Sequence, residues 1–191
     1  MSGSTEITYT VRVAQTPEDI EQCMKIRKQV FVDEQYRDQR VGDLSDPPSG
    51  PSKKHGGAAD LILFVNDGRD DARSTHFLML RYHENVEDED EQDEQGEPIG
   101  TLRLINDNNQ LGRFALIKPY RGKGLGKPLI EFVHEYVSKK GGKEVWCQSQ
   151  AADPASGGVD ATGFYKKLGY VNRGELYMKE GTRHQDMVFT L

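Results

Sequence analysis

The 191-residue chain predicts an α+β domain, a mixed and mostly antiparallel sheet with helices on both faces. Three observations carry that prediction. Runs rich in β-branched and aromatic residues recur from Ile7 to Leu191. Two amphipathic helical patterns interrupt them, at about residues 16–35 and 124–138. The strand before the second pattern passes directly into a glycine-rich turn. The length suits one domain, taken as residues 1–191, with enough chain to bury a core.

The first strand is placed at 6–14. Thr16 is a good N-cap for the helix that follows, Pro17 fits its first position, and Asp19 stands where a capping box would close. Ile20, Cys23, Met24, Arg27, Val30 and Phe31 recur at spacings of three and four, so one face turns to a core and carries the stem of Arg27. The helix is expected to end near Gln35. Residues 36–60, with three prolines and four glycines among polar residues, read as a long loop. Leu61–Val65 is a short candidate strand, Asn66–Asp71 a turn, and His76–Tyr82 a strand. The acidic stretch Glu84–Glu97 reads as a solvated hairpin loop.

Ile99–Ile105 and Leu111–Ile117 should pair as a hairpin around Asn106–Asn109. A helix from Gly124 to Ser138 presents Leu125, Leu129, Ile130, Phe132, Val133, Tyr136 and Val137, and Gly141 and Gly142 end it. Glu144–Gln148 is a buried strand. Asp160 caps a helix that runs to Leu168, and the strands Tyr170–Tyr177 and Met187–Leu191 complete the sheet.

The net charge of −6 argues against a broad basic surface, so no nucleic-acid partner is expected. Two cysteines, Cys23 and Cys147, make neither a zinc site nor a disulfide framework, and no metal is expected. No apolar run approaches the roughly 20 residues that span a bilayer, and residues 1–10 lack the order of a signal peptide. A soluble cytoplasmic protein with no membrane partner is the expectation, a nuclear one being compatible.

The most informative segment is Leu116-Ile117-Lys118-Pro119-Tyr120-Arg121-Gly122-Lys123-Gly124-Leu125-Gly126. Glycines let the backbone turn sharply and let a ligand approach it. Free N–H groups of such a turn and the start of the following helix suit a polyphosphate, and Arg121, Lys123 and Lys127 add positive charge. No Gly-Lys-Ser/Thr ends the turn, and the dinucleotide fingerprint fits poorly. On spacing alone a solvated strand-to-helix turn stays open beside a phosphate site.

Arg121-Gly122-Lys123-Gly124-Leu125-Gly126 resembles the [QR]-x-x-G-x-[GA] pattern of the GNAT superfamily of acyl-CoA-dependent N-acyltransferases. Phe114-Ala115-Leu116 resembles its strand beside the pantetheine arm, and Ala161–Tyr170, with Phe164-Tyr165, its later helix and turn. A small GNAT subgroup is similar also in Arg27–Gln35, Gly96–Leu104 and Gly181–His184. Segments 36–70 and 84–97 look like insertions. The resemblance implies a six- to seven-stranded sheet splayed between the strand ending at Ile117 and the strand Glu144–Gln148, with acetyl-CoA in the splay as co-substrate. The cofactor contacts it implies are Phe114, Ala115, Leu116, Arg121, Gly122, Lys123, Gly124, Leu125, Gly126, Lys127 and Tyr165. The N–H of Leu116 would polarise the thioester, and Tyr165 would protonate the leaving thiolate.

Direct transfer needs a neutral amine, donors for the oxyanion and a partner for the thiolate. The strand before the turn carries no carboxylate, so Glu34, His76 and His184 are the candidate bases, and a water chain is a further route. The expected activity is acetylation of a small-molecule primary amine such as a polyamine or amino sugar. Acetylation of a protein lysine or N-terminus, and a non-catalytic acyl-CoA-binding module, remain alternatives. A homodimer is compatible with the family.

Overall fold

A computed structural model of the chain describes residues 6–34, 68–84, 96–153, 160–179 and 181–191. The loop 36–60, the candidate strand Leu61–Val65 and most of the acidic stretch lie outside these residues. The described chain runs β1 (Glu6–Val13), α1 (Pro17–Arg27), β2 (Ser74–Glu84), β3 (Glu97–Ile105), β4 (Gln110–Leu116), α2 (Gly126–Lys139), β5 (Glu144–Gln150), α3 (Thr162–Lys167), β6 (Val171–Lys179) and β7 (Thr182–Thr190). The strands form one sheet in the order β1-β2-β3-β4-β5-β7-β6. Each neighbouring pair is antiparallel except β4 and β5.

Strand alternation sorts the core into two layers. On β2, Leu78 and Leu80 turn to the α1 side, where Cys23, Ile26 and Val30 meet them with Ala115 of β4. Phe77 and Met79 turn to the other face, against Leu129, Ile130, Val133 and Val137 of α2 and Tyr165 of α3. Each large apolar side chain buried this way contributes roughly 1.5–3 kcal/mol. β3, between two strands and under both layers, is buried from Ile99 to Ile105.

The start of α1 follows the expected chemistry with one change. Thr16 accepts from the Asp19 N–H at 3.1 Å, but Asp19 accepts from the N–H of Gln15, one residue beyond a capping box, and from Arg12 at 2.6 Å. After Arg27 the helix widens to a π-helical stretch, Lys28–Glu34, so it stops close to its expected end. Asp160 accepts from the Thr162 N–H at 2.9 Å and so supports the start of α3. The last strand begins earlier than its apolar run suggests, at Thr182. Gly181, with φ of 79°, turns the β6–β7 hairpin there, and backbone pairing recruits the polar residues that alternation alone leaves out.

Candidate active site

The parallel ladder between β4 and β5 consists of Gln110↔Trp146 and Leu111↔Cys147. Beyond it the strands separate. The cause lies in the next residues of β4. Against β3, Thr101 faces Ala115 but Arg103 faces Gly112, so Arg113 and Phe114 stand opposite Leu102 alone. Arg113 takes φ of 53° to make this bulge. The bend turns the rest of β4 away from β5 and opens the sheet.

The opened edge of β4 exposes main chain to the gap. The Ile117 N–H donates to Ile99 O at 3.0 Å, across to β3. Successive residues of a strand address opposite edges, so the N–H and C=O of Leu116 face the splay. The Leu116 carbonyl is taken by Arg121 Nε at 2.7 Å. Gly100 lets β3 lie close here, since a Cβ on it would stand 2.5 Å from the Leu116 side chain.

Beyond Ile117 a short 3₁₀ turn, Lys118–Tyr120, leads to the glycine turn. Gly122 and Gly124 take φ of 74° and 80°, which side-chain-bearing residues adopt at a cost, and a Cβ on either would meet open space. Glycine is therefore required by the backbone there and not by crowding. No side chain caps α2, whose dipole is directed at the turn, and Lys127 donates its N–H back to Gly124 O at 3.1 Å. A phosphate fits that environment. Tyr120 supports the turn from beneath, donating to Glu97 at 2.6 Å, with Arg81 held to the same carboxylate and Lys123 above the Tyr120 ring. Lys127 pairs with Glu131 at 3.6 Å.

Two aromatics close the floor. Phe114 and Phe164 stack with centroids 5.4 Å apart and planes at 12°, and a Cβ on Gly126 would approach both rings at 3.0 Å. Beside them Tyr165 is buried on α3, close to Cys147 of β5. Burial raises the Tyr165 phenol well above its ordinary value, with the neighbouring Cys147 adding to it. Burial likewise pushes the Cys147 thiol up to about 12. Tyr165 is thus a phenol throughout the neutral range, and Cys147 is a neutral thiol and no nucleophile.

The candidate bases separate in space. Glu34 ends the π-helical stretch at the mouth of the splay, where Oε2 lies 2.6 Å from Arg121 Nη2. His184 stands on β7 opposite Gln150, the last residue of β5. Its Nδ1 is 3.1 Å from Thr182 O, and its ring stacks on Tyr177 at 6.0 Å. A carbonyl neighbour requires the proton on Nδ1, so neutral His184 carries its lone pair on Nε2. His76 lies elsewhere, on β2 opposite Arg103, toward the other end of the sheet. Its Nδ1 is 2.7 Å from Arg27 Nη2 in a buried group where Asp71 receives both Arg27 and Arg103 at 2.9 Å. Burial and Arg27 lower its pKa. Glu34 stands beside Arg121 at the end of β4, His184 lies on β7 opposite the end of β5, Tyr165 is buried against β5, and His76 sits in a buried ion-pair group.

Sequence reading missed the polar wall beyond β5. On the face of Gln148, Tyr177 donates to Asp186 at 2.7 Å and Lys179 donates to Gln148 at 2.7 Å. Burial, then Asp186, raises the Tyr177 phenol above its ordinary value. The alternation of His184, Asp186 and Val188 held the signal, but it reads as a strand only once the hairpin is known.

Known proteins carry the same frame. A protein from Bacillus subtilis (strain 168), YyaT, is 28% identical over 171 residues, covering 88% of this chain and 87% of that one. An aminoglycoside 6'-N-acetyltransferase complexed with coenzyme A superimposes with a TM-score of 0.59 at 14% identity, over 96% of each chain. Mutant forms of the spermidine/spermine N-acetyltransferase SpeG from Vibrio cholerae give a TM-score of 0.54 at 15% identity, over 96% of this chain and 95% of that one. The model of the acetyltransferase (GNAT) domain matches residues 82–191, the stretch that holds the bulged strand, the glycine turn and Tyr165. A sheet opened beside an uncapped helix start, within a sequence that this model matches over more than half its length, places the chain in the GNAT family of acyl-CoA-dependent N-acetyltransferases.

Proposed function

We propose that the chain transfers an acetyl group from acetyl-CoA directly to a primary amine of a small cationic molecule. The observation that carries this reading is the end of the β4–β5 ladder after two residue pairs, beside an uncapped helix start. The diphosphate sits on the turn Gly122–Lys127, at the start of α2. The pantetheine runs along Phe114–Leu116, and the Leu116 N–H polarises the thioester carbonyl. Tyr165 donates a hydrogen bond to the sulfur as it leaves. Its raised pKa makes it a hydrogen-bond donor first, so the thiolate is stabilised before it is protonated.

The acceptor enters from the α1 face, along the wall of Gln148, Tyr177, His184 and Asp186. Asp186 gives this wall a carboxylate for a cation, and His184 Nε2 takes the proton that the amine loses. Aminoglycoside and polyamine acetylation by the fold neighbours supports a small amine as acceptor. Thiol release from acetyl-CoA, measured with diamines, aminoglycosides and lysine peptides, tests the reading. Turnover is expected with small cationic amines, and peptide-only turnover would overturn the acceptor class. His184→Gln should lower kcat/KM roughly 10²-fold while CoA affinity by calorimetry stays within a factor of two. An unchanged kcat/KM would remove His184 from the mechanism.

A further inference from the structure

The side chain of Arg121 spans three parts of the site. Its Nε donates to Leu116 O at 2.7 Å and its Nη2 to Glu34 Oε2 at 2.6 Å. Leu116 ends β4, Arg121 opens the glycine turn, and Glu34 closes the helical stretch on the acceptor face, 87 residues away in sequence. Two acceptors on different elements fix the plane of the guanidinium.

Such a contact is poorly explained as a stability device. Arg121 is 41% exposed and Glu34 21%, and pairs this open contribute little to folding. Its geometric effect is larger. The turn that follows contains Gly122 and Gly124, which have wide conformational freedom when unliganded. Ordering it on binding costs entropy, and an anchored first residue lowers that cost.

We propose that Glu34 is a positioning residue for the CoA turn, a carboxylate that clamps Arg121 and links the acceptor-side helix to the cofactor cradle. It is not the base: its carboxylate is committed to the guanidinium. This inference rests on the reading that the turn holds CoA. It implies that cofactor affinity depends on a residue outside the glycine motif, on the opposite side of the splay.

The test is a double-mutant cycle of Glu34→Ala and Arg121→Ala, read by CoA calorimetry, the pH profile of kcat and amide hydrogen exchange of the free protein. Glu34→Ala should weaken CoA binding about five- to tenfold and raise the KM for acetyl-CoA in step. It should have no further effect once Arg121 is Ala, and the pH profile of kcat should keep its shape. In the free protein, exchange at Gly122–Gly126 should quicken in Glu34→Ala. Additive losses in the cycle, or an altered pH profile with CoA affinity intact, would overturn the clamp. If the wild type failed to bind CoA, the proposed function would fall. The exchange data would then decide the clamp alone, faster exchange supporting it and unchanged exchange overturning it.

Discussion

The two walls of the splay are built in opposite ways. The proposed cofactor wall is mostly main chain from one contiguous stretch, Phe114 to Lys127, shaped by an αL residue in β4 and two positive-φ glycines. The proposed acceptor wall is mostly side chain, gathered from Gln148, Tyr177, His184 and Asp186 on three strands. A main-chain site tolerates change in the side chains around it and fails when the backbone conformation fails. A side-chain site fails one functional group at a time. Substitutions on the two walls should therefore separate into losses of affinity and losses of turnover.

Tyr165 belongs to the side-chain kind although it stands beside the cofactor. Tyr165→Phe should keep the ring and its edge contacts with Phe164 and Tyr170 and lose the hydroxyl alone. Turnover at saturating acetyl-CoA should fall about 10²-fold while CoA affinity by calorimetry stays within a factor of two. A matching loss of affinity would mean that the hydroxyl serves packing against Cys147 instead.

The opposite pattern is expected at Gly124. A valine there must take φ near 80°, a region unfavourable for a β-branched residue, or flatten the turn and move the N–H groups. Because a Cβ at this site meets nothing within 4 Å, the loss is conformational and not a clash. Gly124→Val should weaken CoA binding at least about tenfold with a smaller change in kcat. Full affinity in this variant would break the claim that the cradle is backbone.

The same contrast explains what the sequence revealed. The glycine turn and its flanking strand and helix are one contiguous stretch, so spacing singled them out as a possible phosphate site, and the Phe164-Tyr165 pair was picked out by its resemblance to the GNAT pattern. The splay was expected where it occurs, between β4 and β5, although its cause was not. Arg113 adopts φ of 53° without being a glycine, and nothing in an ordinary Gly112-Arg113 pair announces a bulge. The acceptor wall was half legible. His184 was picked out by its residue type, but Asp186 and Tyr177 become neighbours only through the β6–β7 register. His76, chosen by the same argument from residue type, stands among Arg27, Asp71 and Arg103, because an imidazole pattern carries no information on strand pairing.

Both walls rest on the layer under the sheet, and its weakest point to acid is His134 of α2. The ring stacks on Phe189 with centroids 4.1 Å apart, and Nε2 lies 2.8 Å from the Tyr170 hydroxyl. Burial lowers its pKa from 6.5 to about 4. The unfolded chain therefore binds more protons than the folded one between those two values, and stability rises with pH across that window. The contribution is complete above about pH 6.5 and is lost as pH falls toward 4, amounting to at most about 3 kcal/mol. The carboxylates Asp70, Asp71 and Asp160, with lowered pKa, act below that window, and Glu97 overlaps only its acid end. His134→Gln keeps a polar group beside Tyr170 and removes the titration. Denaturant midpoints measured from pH 4 to 7 should slope upward for the wild type and less steeply for the variant, in which buried His76 keeps part of the slope. Parallel curves would show that His134 is protonated in the folded layer and that its burial carries no acid sensitivity. The part of the slope that the variant loses measures the share of the acid sensitivity that lies in the layer at α2.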